Sequence, residues 1–319
     1  MVSVEIHIPI SPRPSFFTMV HFFAASLRRQ GGAFSEAKIF VSVGDDCEPF
    51  DIDDVHPELA KYNISWRWVD RMAFKEQTYF ATGLCRWKDF KSDYIIMADA
   101  DTLVLGDISE SLSWLKGPRS LCGTIATFPP FMARSGNNTD AEQWPELFKF
   151  AGLVPPLFDA VYPGFEHFYR SDQGVRAAPP YYNYGFVLGT REAMELIAKT
   201  IENDCQTAAG YMKTDLHAQA GLTLSIVRNK VVVSYLPTRF NMWNWPPYAN
   251  AFPEDFSNVK LLHYLHPDIF DKTRDIENLL VLKDWLLRNE QSKDPMTRLV
   301  AGGFGALFDE VEKDFHGVS

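Results

Sequence analysis

Two aspartates one residue apart, Asp99-Ala100-Asp101, follow directly on the nearly continuous apolar run 93–98. On an extended backbone, residues two apart project to the same side, so the two carboxylates converge. Carboxylate oxygens suit hard cations such as Mg²⁺ or Mn²⁺, which take one or two protein carboxylates and complete their shells with phosphate oxygens and water. The pair therefore points to a cation that carries a phosphate-bearing ligand. The competing reading is a turn at the top of a strand, with Asp as turn former. Asp51-Ile52-Asp53 is a second such triplet without that setting, and it reads as a chance match.

To position these carboxylates, the chain must build a parallel sheet. Residues 2–10 alternate as a strand, Ser11-Pro12-Arg13-Pro14 interrupts, and 16–30 has helical period. Strands at 38–43 and 64–69 follow, a helix at 77–90, and then the strand 93–98, whose unbroken apolar character predicts burial on both faces. Asp99 thus falls at the carboxyl end of a central strand, the edge at which open α/β sheets bind ligands. Residues 128–184 are dense in Pro, Phe, Tyr and Trp and read as an irregular insertion. Beyond it come a strand at 186–188, helices at 191–203 and 217–227, strands at 230–236 and 261–264, and a largely helical tail at 276–315.

Composition narrows the function classes. With 46% hydrophobic, 23% charged and 14% aromatic residues, the 319-residue chain is that of a folded globular protein. A net charge of -10 and the lack of any basic run exclude nucleic acid and anionic membrane surfaces as expected partners. Cys47, Cys85, Cys122 and Cys205 are too far apart for a CxxC pair and read as reduced thiols. No apolar run approaches the roughly 20 residues of a membrane span, and the first residues lack the pattern of a signal peptide, so a soluble cytoplasmic protein is expected.

The segment from Tyr94 through Asp99-Ala100-Asp101 to Thr102-Leu103-Val104-Leu105-Gly106-Asp107-Ile108 closely resembles the DxD segment of GT-A glycosyltransferases, especially the retaining, glycogenin-like family. The resemblance implies an α/β fold: a single Rossmann-like GT-A domain over 1–319, with a mostly parallel central sheet flanked by helices, the aromatic-rich insertion and the helical tail. It also implies a nucleotide-binding half at about 1–110, an acceptor and catalytic half at 111–268, and C-terminal helices at 269–319.

Residue by residue, the resemblance implies that Asp99, Asp101 and a late His263 hold Mn²⁺ or Mg²⁺ with the diphosphate of a nucleotide sugar. His266 is the less favoured ligand. Asn183 in Asn183-Tyr184-Gly185 matches the family's Asn-x-Gly segment, whose amide contacts the donor sugar. Gln219 matches the second member of an Asp-Gln pair. Ala218 stands where the Asp would be, which leaves Asp215 as the nearest carboxylate; its other reading is a helix N-cap. Arg86 resembles an arginine that reaches the donor, and a guanidinium fork suits diphosphate. Ile8, Pro9 and Ile10 with Ser11, and the turn Asp45-Asp46, lie at strand ends where the family holds base and ribose, with Asp45 or Asp46 as acceptor for the uracil N–H. Phe128, Phe131, Trp144, Phe165, His167, Phe168, Tyr169 and the segment Trp243 to Tyr248 read as acceptor-binding aromatics or as core.

The expected activity is metal-dependent transfer of a hexose from a nucleotide sugar, UDP-glucose or UDP-galactose, to a hydroxyl of a glycan or glycoconjugate. Retention is favoured, with Asn183, Gln219 and Asp215 around the reacting sugar. Inversion follows if Asp215 or Glu166 acts as a base behind it. A sugar-nucleotide pyrophosphorylase would need a Gly-rich loop after the first strand, where this chain has Ser11-Pro12-Arg13-Pro14. A non-catalytic carbohydrate-binding protein is the alternative from another class.

Overall fold

Alternation builds the first strand. β1 (Val4–Ile10) sends Val4, Ile6, Ile8 and Ile10 into one core, while Glu5, on the opposite face, accepts backbone N–H groups of Lys91 and Ser92 at 3.1 and 3.2 Å. The computed structural model describes residues 2–131, 140–164, 177–212, 214 and 216–317. β2 (Lys38–Val43) and β3 (Ile64–Trp68) add in parallel on one side of β1, and β4 (Tyr94–Ala98) adds in parallel on the other. Sheet growth therefore changes direction between β1 and β4, the kind of switch point beyond whose strand ends open α/β sheets bind ligands. Asp99-Ala100-Asp101 leaves β4 at that point.

The chain then runs into β5 (Thr102–Val104), which leaves the main sheet. β6 (Ser120–Ile125) is followed by the short β7 (Ala160–Val161) and β8 (Ala177–Ala178), which among the described residues pair only with each other. β9 (Tyr182–Thr190) inserts antiparallel between β4 and β6, and β10 (Val232–Tyr235) pairs parallel to β6. The seven-stranded order is β10-β6-β9-β4-β1-β2-β3. Because β9 runs against its neighbours, its beginning rather than its end lies at the carboxyl edge of β4. β11 (Met242–Trp243) and β12 (Leu261–His263) join β5 in a small second sheet.

Both faces are covered. Ile96 and Ala98 of β4 enter one apolar cluster, Ile95 and Met97 the other, as the unbroken apolar run predicts. The first cluster packs the helix Pro14–Gln30 and the long C-terminal helix Pro295–Gly317; the second packs the helices Ile201–Tyr211 and His217–Arg228. The C-terminal helix is pinned through Asp314, whose Oδ2 accepts the Tyr62 hydroxyl at 2.7 Å and lies 2.9 Å from His21 Nε2.

Several expected elements are corrected. The helix expected at 77–90 is two short helices, Arg71–Gln77 and Tyr79–Cys85, broken at Thr78, whose φ of 55° no helix accommodates. The first starts early because the Asp70 side chain caps it by accepting the Ala73 N–H. The helix expected at 191–203 is likewise two, Arg191–Ala198 and Ile201–Tyr211. β9 is longer than the expected 186–188, while β10 and β12 are shorter than 230–236 and 261–264. β6 went unread although all six residues are buried: Ser120, Gly123 and Thr124 interrupt the apolar signal. Within the insertion, a helix forms over Asp140–Phe150.

Candidate active site

The small second sheet assembles the site. In the antiparallel ladder of β5 with β12, His263 pairs with Thr102 and Leu262 with Leu103, and the Tyr264 N–H donates to the Asp101 carbonyl at 3.0 Å. That register brings His263 beside the two aspartates: His263 Nε2 lies 3.3 Å from Asp101 Oδ1 and 3.9 Å from Asp99 Oδ2. One ligating atom from each of Asp99, Asp101 and His263 can be chosen so that all lie within 4.8 Å of one another. Asp101 and His263 are buried and Asp99 is 31% exposed, so the cluster opens to solvent on the Asp99 side. Two hard oxygen donors and one imidazole nitrogen suit Mn²⁺ or Mg²⁺, with room left for ligand oxygens.

Two cations already face this pair. Lys272 Nζ donates to Asp101 Oδ2, and Arg86 Nη1 stands 3.7 Å from Asp99 Oδ1. Burial pushes the Asp101 carboxyl up, but the charges and hydrogen bonds of His263 and Lys272 outweigh it and hold the group well below the usual range. Asp99 moves the other way: burial and the neighbouring Asp101 carboxylate raise it, and Arg86 offsets only part. Burial also works against the Lys272 ammonium, yet the carboxylates keep it above its ordinary value.

Asn183 sits near the start of β9, beside the end of β4 where Ala98 pairs with Phe186. Its Oδ1 accepts the Gly185 N–H at 2.8 Å and the Asn241 Nδ2 at 2.8 Å, while Asn241 Oδ1 lies 2.9 Å from His263 Nδ1. Gly185 is required here, because a Cβ on it would stand 2.3 Å from His263 Nδ1 and 2.6 Å from Asn241 Oδ1. The Asn-x-Gly segment and the late histidine are thus parts of one hydrogen-bonded unit.

Arg86 is buried at the end of the helix Tyr79–Cys85. Its guanidinium carbon lies 4.2 Å from the centre of the Tyr184 ring, and its Nε and Nη1 have no hydrogen-bond partner among the described residues. The Tyr184 hydroxyl donates to the Ala218 carbonyl at 3.1 Å, which ties the first turn of the Gln219-bearing helix to the Asn183 segment. Arg86, Tyr184, Cys205, His217 and Ala218 line a cavity of about 480 Å³, within the range of small-ligand pockets. The half-buried Gln219 is not among its lining residues.

The remaining positions divide. Ile8 and Ile10 are core side chains, so that edge of β1 offers a ligand its backbone and the partly buried Pro9. Ala100 is buried, its carbonyl accepting the Tyr264 hydroxyl at 3.3 Å. Asp45 Oδ1 accepts the Cys47 N–H at 3.1 Å and shapes its turn, while Asp46 pairs with Arg71. His266 stacks on Trp245 and takes no place among the clustered ligands. Asp215, Glu166, Phe165, His167, Phe168 and Tyr169 lie outside the described residues. Phe131, Trp144 and Tyr248 are core, whereas Phe128, Trp243 and Trp245 are partly exposed. Reading the sequence missed Asn241 and Lys272. Neither carries a local signal: Asn241 follows Phe240 unremarkably, and Lys272 lies in a stretch as rich in acids as in bases.

Solved structures share this architecture. The fold is that of the GT-A glycosyltransferases. WbbM, a bifunctional glycosyltransferase in its apo form, superposes with a TM-score of 0.52 at 15% identity, over 83% of this chain and 46% of that one. The galactosyltransferase LgtC, in complex with donor and acceptor sugar analogues, superposes with a TM-score of 0.51 at 17% identity, over 82% of this chain and 87% of that one. The chain thus spans less than half of the length of WbbM and most of that of LgtC. No family model and no curated protein matches it. No helix among the described residues is long and apolar enough to cross a membrane.

Proposed function

We propose that the chain is a metal-dependent glycosyltransferase that moves a hexose from UDP-glucose or UDP-galactose to a hydroxyl of a glycan or glycoconjugate. The observation that carries this reading is the meeting of Asp99, Asp101 and His263 at the switch point of a GT-A sheet. Mn²⁺ or Mg²⁺, when held by these three side chains, would supply electrostatic stabilisation of the charge that develops on the departing diphosphate.

The chain's own residues do the rest. Asp99, Asp101 and His263 hold the cation, and Arg86 adds a positive charge beside Asp99. Asn183 turns its amide nitrogen to the donor sugar. Gln219, in the first turn of the helix tied to Tyr184, and Asp215, the nearest carboxylate in sequence, act on the reacting centre, and retention of configuration is the favoured outcome. Ile8, Pro9, Ile10 and Asp45 border the base and ribose. In this reading 1–110 binds the nucleotide, 111–268 receives the acceptor and 269–319 braces the first half, all within one domain. Partly exposed Phe128, Trp243 and Trp245 offer ring faces to an acceptor sugar. A cytoplasmic location is part of the proposal, supported by four free thiols of which three are buried.

Isothermal titration of UDP, GDP, UDP-glucose and UDP-galactose, each with and without Mn²⁺, tests it on wild type and Asp101→Ala. Uridine-nucleotide binding that needs Mn²⁺ and vanishes in the variant is the expected result. Absence of binding by every nucleotide under both conditions overturns the reading in favour of a non-catalytic carbohydrate-binding protein.

A further inference from the structure

Asn241 is 2% exposed and lies between the turn Thr238–Phe240 and β11. Its amide touches the cation-ligand candidate on one side and the donor-sugar candidate on the other. The direction of this network follows from its fixed member. The Gly185 N–H can only donate, so the end of Asn183 that lies 2.8 Å from it is oxygen. That oxygen can only accept, so Asn241 must turn its Nδ2 toward it, and its Oδ1 then faces His263 Nδ1. A carboxamide oxygen accepts and never donates, which requires the hydrogen of a neutral His263 to be on Nδ1. The lone pair of Nε2 is thereby left pointing among the oxygens of Asp101 and Asp99, 3.3 and 3.9 Å away. That lone pair is what a cation needs; where His263 is instead protonated, Nε2–H faces Asp101, and a cation takes the proton's place with all three side chains as its ligands.

The same logic fixes Asn183. With its Oδ1 accepting two hydrogen bonds, its Nδ2 is left to donate, and no described residue takes a hydrogen bond from it. A ligand meeting Asn183 must present an acceptor oxygen.

We propose that Asn241 is a positioning residue that sets the tautomer of His263 and the facing of Asn183 together, coupling the cation site to the sugar-recognising amide. This rests on the glycosyltransferase reading above and adds a residue to it. Asn241 does not itself touch cation or sugar; its effect passes through its two neighbours.

Two substitutions separate its two sides. Asn241→Leu keeps the volume and removes both hydrogen bonds. Asn241→Asp keeps an acceptor for His263 Nδ1 but sets oxygen against the Asn183 oxygen. The measurements are Mn²⁺ titration without nucleotide, titration of UDP and of the UDP-hexose that wild type binds more tightly, and thermal melting. Asn241→Leu is expected to weaken Mn²⁺ by about 10- to 100-fold, the usual effect of losing a partner that orients a ligand. Asn241→Asp is expected to keep Mn²⁺ and UDP affinity while the ratio of UDP-hexose to UDP affinity drops about 3- to 10-fold, the worth of one hydrogen bond.

Wild-type Mn²⁺ affinity in a folded Asn241→Leu overturns the proposal. So does a loss of Mn²⁺ in Asn241→Asp that merely parallels its loss of thermal stability, and this second arm stands if the leucine variant fails to fold. If wild type binds neither Mn²⁺ nor UDP, the functional reading falls and the proposal with it. If wild type binds both and the variants bind like it, only the role of Asn241 is lost.

Discussion

His263 stands opposite Thr102 in the ladder of β5 with β12, and this one pairing sets its Nε2 3.3 Å from Asp101 Oδ1. The main sheet delivers the two aspartates at the end of β4; the small sheet, folded back from them, delivers the imidazole. A slip of one residue in that ladder would turn the His263 side chain to the opposite face, so the site depends on the packing that holds the register. Leu103, Leu261 and Leu262, all fully buried, supply it.

Gly185→Ala should dismantle this arrangement from the β9 side. The added methyl would lie 2.3 Å from His263 Nδ1 and 2.6 Å from Asn241 Oδ1, closer than any atoms pack, and both neighbours are buried. Overpacking of this kind costs about 1–3 kcal/mol. Thermal melting should show a lower Tm, and Mn²⁺ titration a loss of affinity larger than the stability change accounts for. A variant that melts lower yet binds Mn²⁺ like wild type would show that His263 is held by something other than its Asn241 contact.

Lys272→Met should act in the opposite sense. The Lys272 ammonium donates to Asp101 Oδ2 and competes with any cation for that oxygen. Removing the competitor while keeping the length of the side chain should raise Mn²⁺ affinity in the absence of nucleotide by about 3- to 10-fold, the scale of a partly buried charge contact. Calorimetric titration reads this directly, and unchanged or weaker Mn²⁺ binding would show that Lys272 does not compete with the cation for that oxygen.

Much of the site was legible because it is local. Asp99-Ala100-Asp101 followed from its apolar strand, and the same run announced β4 as buried on both faces. His263 and Asn183 came from a resemblance, and the ladder and the hydrogen-bond network bring them to the same edge. Asn241 and Lys272 were not legible, since their importance comes from tertiary contacts with partners far away in sequence. β6 was hidden for a similar reason: Gly123 is apolar in effect because the Tyr182 ring closes over it, which no local pattern reveals. The split helices failed where backbone conformation at Thr78, rather than amphipathic period, decided the boundary.

Arg86→Lys tests whether guanidinium geometry matters. The planar group lies over the Tyr184 ring and also faces Asp99, and an ammonium on a flexible stem cannot reproduce both contacts. UDP-hexose affinity in the presence of Mn²⁺ should fall about 10-fold, roughly one charge-assisted hydrogen bond, while Tm changes little. Full affinity in the lysine variant would reduce Arg86 to a nonspecific positive charge.

Asp314 ties stability to pH. Burial raises its carboxyl, but the bonds from Lys61, Tyr62 and His21 outweigh this and leave it below the ordinary range. For His21, burial outweighs the attraction of Asp314 and holds the imidazole below its usual value. Both groups therefore bind protons less readily folded than unfolded, so stability falls as pH falls. Loss should begin below about 6.5, where an unfolded histidine takes up its proton, and deepen below about 4, where unfolded carboxylates do. Asp314→Asn should lower Tm at pH 7 through about 1–3 kcal/mol of lost charge-assisted bonding. It should also flatten the limb below pH 4 relative to wild type, while the limb near 6.5 persists because His21 stays buried. Melting curves from pH 3 to 8 compare the two proteins, and an acid limb as steep in the variant as in wild type would place the responsible carboxylate elsewhere in the fold.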